Sequence, residues 1–240
     1  MIFLRSFLFN ILFFCWAMIS AVIFAPYFIT SPAASRTAGR PWAKGALWLA
    51  RVVCGIRYEV RGAEHIARQP VIYASKHQSA WDTIIFLCLL HHPAYILKES
   101  LLRIPLWGWY LWRMEMIAID RSAGASTIKK IVRDAKAVME KGRPVVIFPE
   151  GTRKRPRAPL DYQPGILALY KQLNVPVVPV ALNSGIFWGR DAFLKRPGTV
   201  VIEFLPAIEP GLDKKVFSAR LTEAIENKTG LLLQEAEKSL

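Results

Sequence analysis

His77 and Asp82 form a His-x-x-x-x-Asp pattern. An imidazole with a pKa of ~6.5 takes a proton from a hydroxyl near neutral pH. A carboxylate bonded to its other ring nitrogen holds the tautomer and stabilises the imidazolium. The plainer alternative is a structural histidine, with Asp82 capping a helix. A second polar run, Phe148-Pro149-Glu150-Gly151-Thr152-Arg153, is more specific. Gly151 permits a tight turn where a side chain would obstruct a ligand. Arg153 offers a planar fork suited to phosphate. Lys98 and Arg121 add positive charge, although each taken singly also fits a solvated surface ion pair.

Each of these polar groups follows an apolar run. Val71 to Ala74 precedes Ser75 to Asp82, and Tyr95 to Leu97 precedes Lys98-Glu99. Met116 to Ile119 precedes Asp120-Arg121, and Val145 to Phe148 precedes Pro149 to Arg153. Short runs rich in β-branched residues read as buried strands. A parallel sheet brings their four polar ends to one edge, where ligands of such folds bind. Ile56 to Val60 alternates like a half-buried strand, and Val177 to Leu182 and Thr199 to Leu205 are further strands. Ile128, Ile131, Val132, Ala135, Val138 and Met139 follow a helical period, which Gly142 stops. Phe217, Leu221, Ala224 and Ile225 mark another helix. The expected fold class is α/β: a mostly parallel central sheet flanked by helices, occupying residues 56–240.

Residues 1–55 read as a membrane-anchoring helical segment. Residues 6–30 carry no charge, and Phe7 to Ala25 is nearly all apolar. About twenty helical residues extend roughly 30 Å, the thickness of a bilayer's hydrocarbon core. Pro26 ends or bends that helix. A cleaved signal peptide and a buried core helix compete with the anchor. The apolar run is too long for the first, and the second must be apolar all round. Arg36, Arg40, Lys44 and Arg51 follow the run while only Arg5 precedes it, which puts the main body on the cytoplasmic side. Arg40, Lys44 and Arg51 share one helical face. Opposite them stand Trp42, Leu47, Trp48, Leu49, Val52 and Val53, a pattern suited to a helix in the membrane interface, with a core-packing amphipathic helix as the plainer alternative.

The chain has 240 residues, 53% of them hydrophobic, and 32 Lys and Arg against 18 Asp and Glu. The resulting charge of +14 favours anionic partners such as acidic lipid headgroups, nucleotide phosphates or nucleic acid. Zinc-finger spacing and aromatic ribonucleoprotein motifs are missing, which sets nucleic acid aside. Cys15, Cys54 and Cys88 lie far apart, so neither a disulfide framework nor a zinc finger is expected.

Over residues 70–185 the sequence resembles the glycerolipid acyltransferases, the family typified by 1-acylglycerol-3-phosphate acyltransferases. His77 to Asp82 matches the family's first motif, Met116 to Arg121 its second, Phe148 to Arg153 its third and Val175 to Val180 its fourth. Lys98-Glu99-Ser100-Leu101 looks like its Lys-x-Glu-Leu element, with the Glu and Leu each shifted. Two departures stand in the second motif: Glu115 where the family usually has glycine, and Ala118 where it has Phe. The resemblance implies a bacterial inner-membrane enzyme in which His77 and Asp82 are catalytic. Its substrate-binding residues would be Lys98, Arg121, Glu150, Gly151, Thr152 and Arg153. The acceptor would be lysophosphatidic acid, the donor acyl-CoA or acyl carrier protein, and the surroundings membrane lipid, with no metal or other cofactor. Another lysolipid acceptor, such as a lyso-ornithine lipid, keeps the chemistry. A non-catalytic protein that holds acidic lipid is the alternative from a different class, and it has no need of a base.

Overall fold

The computed structural model describes residues 1–120 and 124–238. Three helices come first: α1 (Ile2–Ile23), α2 (Ala25–Thr30) and α3 (Pro32–Cys54). The strands are β1 (Ile56–Arg61), β2 (Ile72–Ser75), β3 (Ala94–Lys98), β4 (Ile117–Ile119), β5 (Val145–Ile147), β6 (Val177–Leu182) and β7 (Gly198–Phe204). Between and after them run α4 (Trp81–Leu89), α5 (Trp107–Arg113), α6 (Ala125–Glu140), α7 (Gly165–Leu173), α8 (Ser184–Phe187) and α9 (Lys214–Glu237).

The described strands form one sheet in the order β1-β7-β6-β2-β5-β3-β4. Its neighbours pair in parallel except β6 and β7, so β1 and β7 run opposite to the rest. The α/β class with a mostly parallel sheet is what the apolar runs predicted. Ile72 pairs with Val145 and Val177, and Lys98 with Ile119. This register aligns the carboxyl ends of β6, β2, β5, β3 and β4 along one edge.

Side chains alternate across the sheet, as the pleat requires. Tyr73, Val146 and Val178 join one buried cluster with Trp81, Ile85 and Phe86 of α4 and Ala43 and Leu47 of α3. Ile72, Ala74, Val145 and Ile147 join the other, with Ile131 and Ala135 of α6, Leu169 of α7 and Phe217 and Leu221 of α9. Strands buried on both faces explain why their sequences read as continuous apolar runs rather than alternating ones.

The N-terminal helices belong to this core. Pro26 falls in the first turn of α2, after a break at Phe24, as its ring requires. Phe9 is fully buried and meets Trp188 edge-on, ring centroids 5.0 Å apart. Trp16 donates from Nε1 to the carbonyl of Trp42 on α3 at 3.0 Å. Ser6 accepts from the amide of Lys195 at 2.8 Å. The end of α1 and the end of α2 hold carbonyls that lack helical partners. Tyr110 of α5 donates to Ala21 at 2.6 Å, and Arg113 donates to Phe28 at 2.6 Å. The opposite stripe of α1, with Leu4, Phe7, Ile11, Phe14, Met18 and Val22, is exposed. On α3 the small residues Ala43, Ala46 and Ala50 face inward, while Arg40, Lys44 and Arg51 stay outside beside exposed Trp48 and Val52. By length and composition α1 can cross a membrane.

These two stripes separate fold stability from membrane affinity. Phe9→Ala is expected to cost about 3–5 kcal/mol, because the cavity it leaves is closed on all sides. Phe14→Ala, on the exposed stripe, is expected to stay within about 0.5 kcal/mol. Urea unfolding in a mild detergent measures both, and vesicle flotation should show the weaker binding for Phe14→Ala.

Candidate active site

β2 ends at Ser75, and the chain turns through residues 76–80 into α4. That turn aims several donors at one carboxylate. Asp82, buried in the first turn of α4, accepts at Oδ2 from the amides of Gln78 at 2.7 Å and Ser79 at 2.8 Å. His77 Nδ1 lies 3.0 Å from the same oxygen. Ser184 donates its hydroxyl to Oδ1 at 2.5 Å. The helix N-terminus also favours a negative charge there. With Asp82 at Nδ1, the nitrogen that would take a proton is Nε2. Phe148, at the end of β5, stacks on the His77 ring at 3.8 Å and 19°, which fixes its plane.

Glu150 holds the other side of His77. Its Oε1 accepts from the His77 amide at 3.0 Å and lies 3.4 Å from Lys76 Nζ. Lys76 is buried and bonds both oxygens of Glu226 on α9 at 2.9 Å, and Tyr162 donates to Glu226 at 2.8 Å. Burial pushes the Glu150 carboxyl up, opposed by the charge of Lys76 and the amide of His77. Burial, then the charge of Glu226, pushes the Tyr162 phenol up. Gly151 turns at φ +67°, and a Cβ there would lie 3.0 Å from Gln163 Cγ. The following loop closes on the histidine, with the Lys154 amide donating to the His77 carbonyl at 2.8 Å.

His77, Lys98, Glu150, Gly151, Thr152 and Arg153 line one cavity of about 810 Å³. The structure thus brings these together, with Asp82 just behind His77. Arg121 lies outside the described residues. Much of the remaining wall is apolar: Ala17 and Ala21 of α1, Phe24, Phe28 of α2, Trp42 of α3, and Leu101, Tyr110, Met114 and Met116 beyond, with Asp161 and Gln163 among its polar residues. A cavity of this size with a few convergent polar groups has the form of a ligand site. The arrangement can remove a proton from a hydroxyl at one end, hold an anion with Lys98 and Arg153, and sheathe an apolar tail at the other.

Sequence reasoning missed Ser184, Lys76, Glu226 and Tyr162. Ser184 had a signal, because Asn183-Ser184-Gly185 is also a polar break after an apolar strand. Glu226 had none, since nothing local marks which carboxylate of α9 turns toward β2.

If the Lys76–Glu150 contact positions His77, Lys76→Met drives Glu150 further toward its neutral form and weakens its hold on the His77 amide. Turnover is expected to fall by about tenfold at neutral pH, the scale of one charged hydrogen bond. The deficit should shrink as pH rises and Glu150 ionises again. A rate ratio to the unaltered protein that stays constant across a pH series excludes this coupling.

A family model described as Acyltransferase matches residues 57–183. A Pseudomonas aeruginosa protein named 1-acyl-sn-glycerol-3-phosphate acyltransferase is 40% identical over 167 residues, 70% of this chain and 65% of that one. A Borreliella burgdorferi protein of the same name is 34% identical over 173 residues, 69% of this chain and 66% of its own. The chain therefore spans just under two thirds of the length of these relatives. In solved structures, the fold is similar to that of the 1-acyl-sn-glycerophosphate (LPA) acyltransferase from Thermotoga maritima. The TM-score is 0.78 at 20% identity, covering 97% of this chain and 98% of that one.

Proposed function

This chain belongs to the acyltransferase family, and on that premise we propose that it transfers a fatty acyl group from a thioester donor to the sn-2 hydroxyl of lysophosphatidic acid. The product is phosphatidic acid, a step of phospholipid synthesis. The observation that carries this reading is the cavity itself, where the His77–Asp82 couple, the cations Lys98 and Arg153 and a long apolar wall meet. Lysophosphatidic acid has the matching parts: a phosphate, a free hydroxyl and an acyl tail. The names of the Pseudomonas and Borreliella relatives support the same acceptor.

Lys98 and Arg153 hold the acceptor's phosphate, the arginine through its planar fork. His77 Nε2 takes the proton of the sn-2 hydroxyl as its oxygen attacks the thioester carbonyl. A C–O bond forms, the C–S bond breaks, and the leaving sulfur takes the proton back from the imidazolium. Asp82 keeps Nδ1 protonated and stabilises the imidazolium. Thr152 offers a hydroxyl near the phosphate. Gly151 keeps the turn clear of side chain, and Glu150 acts from below by holding the His77 backbone. Arg121, outside the described residues, is assigned to the phosphate from its place in the family's second motif alone. The donor is acyl-CoA or acyl carrier protein, both anionic and suited to a basic surface. The scheme needs neither a metal nor another cofactor. α1 anchors the protein in a bacterial inner membrane, with the site on the cytoplasmic side, where one substrate arrives from lipid and the other from water.

His77→Ala is expected to lower kcat/KM by about 10²–10⁴-fold while leaving vesicle binding unchanged. The assay uses purified full-length protein in vesicles, labelled lysophosphatidic acid, and acyl-CoA beside acyl carrier protein. A rate near that of the unaltered enzyme ends this mechanism. Arg153→Ala is expected to raise KM for the acceptor by about tenfold or more, the scale of a charged hydrogen bond. An effect confined to the donor's KM contradicts the role given to Arg153.

A further inference from the structure

Glu115 stands between α5 and β4 with φ +54°. Side chains other than glycine are disfavoured there by roughly 1–2 kcal/mol, and a conformation of that kind persists only where its surroundings enforce it. The surroundings here are three cations, one from α3 and two from the turn between α6 and β5. Glu115 Oε2 lies 2.5 Å from Arg36 Nη1 on α3 and 3.3 Å from Arg143 Nη1, just before β5. Its Oε1 lies 2.7 Å from Lys141 Nζ, after α6. Arg143 is buried and continues the network, donating from Nε to the His92 carbonyl at 2.9 Å and from Nη2 to the Met114 carbonyl at 3.0 Å. Burial works against the charge on Glu115, but the Lys141 hydrogen bond and the surrounding cations hold its carboxyl below the usual range.

The neighbours of Glu115 tie this cluster to the cavity. Met114 and Met116 both line the apolar wall. Helix α3 presses on the same wall, since a Cβ at Gly39 would lie 2.6 Å from Met114 Cε. Methionine is unbranched and adapts to its surroundings, so by itself it makes a yielding wall. A wall of that kind rejects a chain of the wrong length only if something else fixes where it stands.

We propose that Glu115 is a positioning residue that sets which acyl-chain lengths the cavity accepts, by pinning α3 against the Met114–Met116 wall. This rests on the reading of the cavity as an acyl site. An isolated exposed ion pair contributes little. Glu115 differs because one carboxylate joins three elements and neutralises a buried arginine, whose charge is expensive to leave unpaired.

The test uses full-length protein in vesicles, one labelled acyl-CoA as donor, and a mixture of lysophosphatidic acids with short, medium and long saturated chains competing in one reaction. The product ratio does not depend on how much protein is folded. Glu115→Gly relaxes the backbone and deletes the carboxylate, and Arg36→Met deletes the α3 partner. Both are expected to flatten the preference between chains differing by two carbons by about tenfold, within the range that a fitted apolar pocket supplies per methylene. Glu115→Gln, which keeps shape and loses charge, should fall between. An unchanged product ratio in Glu115→Gly overturns the proposal, whatever the absolute rate. A second readout needs no acyl transfer: displacement of the fluorescent fatty acid parinaric acid by saturated fatty acids of the same lengths. If the unaltered protein transfers no acyl group, the reaction assigned above falls, and the displacement series still decides this point. A length preference that flattens in Glu115→Gly supports it. A preference that does not change, or no parinaric acid binding by the unaltered protein, overturns it.

Discussion

Asp82 is a carboxylate without solvent contact, and much of the site follows from how that group is satisfied. A buried charge is tolerated only when paired and hydrogen-bonded. Its partners come from two separate stretches of the chain. The imidazole of His77 and two amides come from the turn after β2, and the Ser184 hydroxyl comes from α8, after β6. The second stretch reaches Asp82 because β6 lies beside β2 in parallel and ends at the same edge. Gln78 reinforces the join by accepting from the Gly185 amide at 3.0 Å. The register of the central strands is therefore a condition for satisfying the hydrogen bonds of the group that orients His77.

Glu150 completes the arrangement from β5, on the other side of β2. Asp82 acts on the imidazole ring and Glu150 on the backbone of the same residue, while Phe148 sets the ring plane. The ammonium of Lys76 stands between Glu150 and Glu226, so a helix on the far face of the sheet contributes to the placement of His77. On the proposed reading, a base fixed in ring plane, ring nitrogen and backbone loses little freedom when a substrate hydroxyl arrives, the kind of preorganisation that favours proton transfer. These contacts engage Glu150 Oε1 with the His77 amide and Lys76 beside the ligand space.

The strand ends were legible in the sequence because an apolar run broken by polar residues needs only local information. His77, Asp82, Lys98 and the run from Glu150 to Arg153 came from that signal, and parallel pairing placed them on one edge. The partners of those residues were not legible. Lys76 and Glu226 meet only because α9 packs against β6, the neighbour of β2 in the sheet. Glu115 read as a departure from a familiar pattern, and its meaning depends on a backbone angle and on cations from α3 and from the stretch after α6. The N-terminal helix shows a different limit. A helix apolar on all sides offers no periodicity that separates its packed stripe from its exposed one. Phe9 and Phe14 are the same residue type on the same helix, one fully buried and one turned outward.

On the proposed reading, the two ends of the cavity answer to different physics. Ala17 and Ala21 line the cavity from one side of α1, while the other side of that helix presents an apolar stripe outward. An acyl chain that leaves lipid for this cavity exchanges one apolar environment for another, so little hydrophobic free energy is gained. Recognition then has to come from elsewhere. One source is charge: Lys98 and Arg153 line a cavity with largely apolar walls, where a phosphate is attracted more strongly than in bulk water. The other is shape, which discriminates only as well as the wall is held in place. The same low polarity that makes the tail's transfer nearly neutral thus puts the burden of selection on a few fixed charges, two of them facing the headgroup and Glu115 behind the wall.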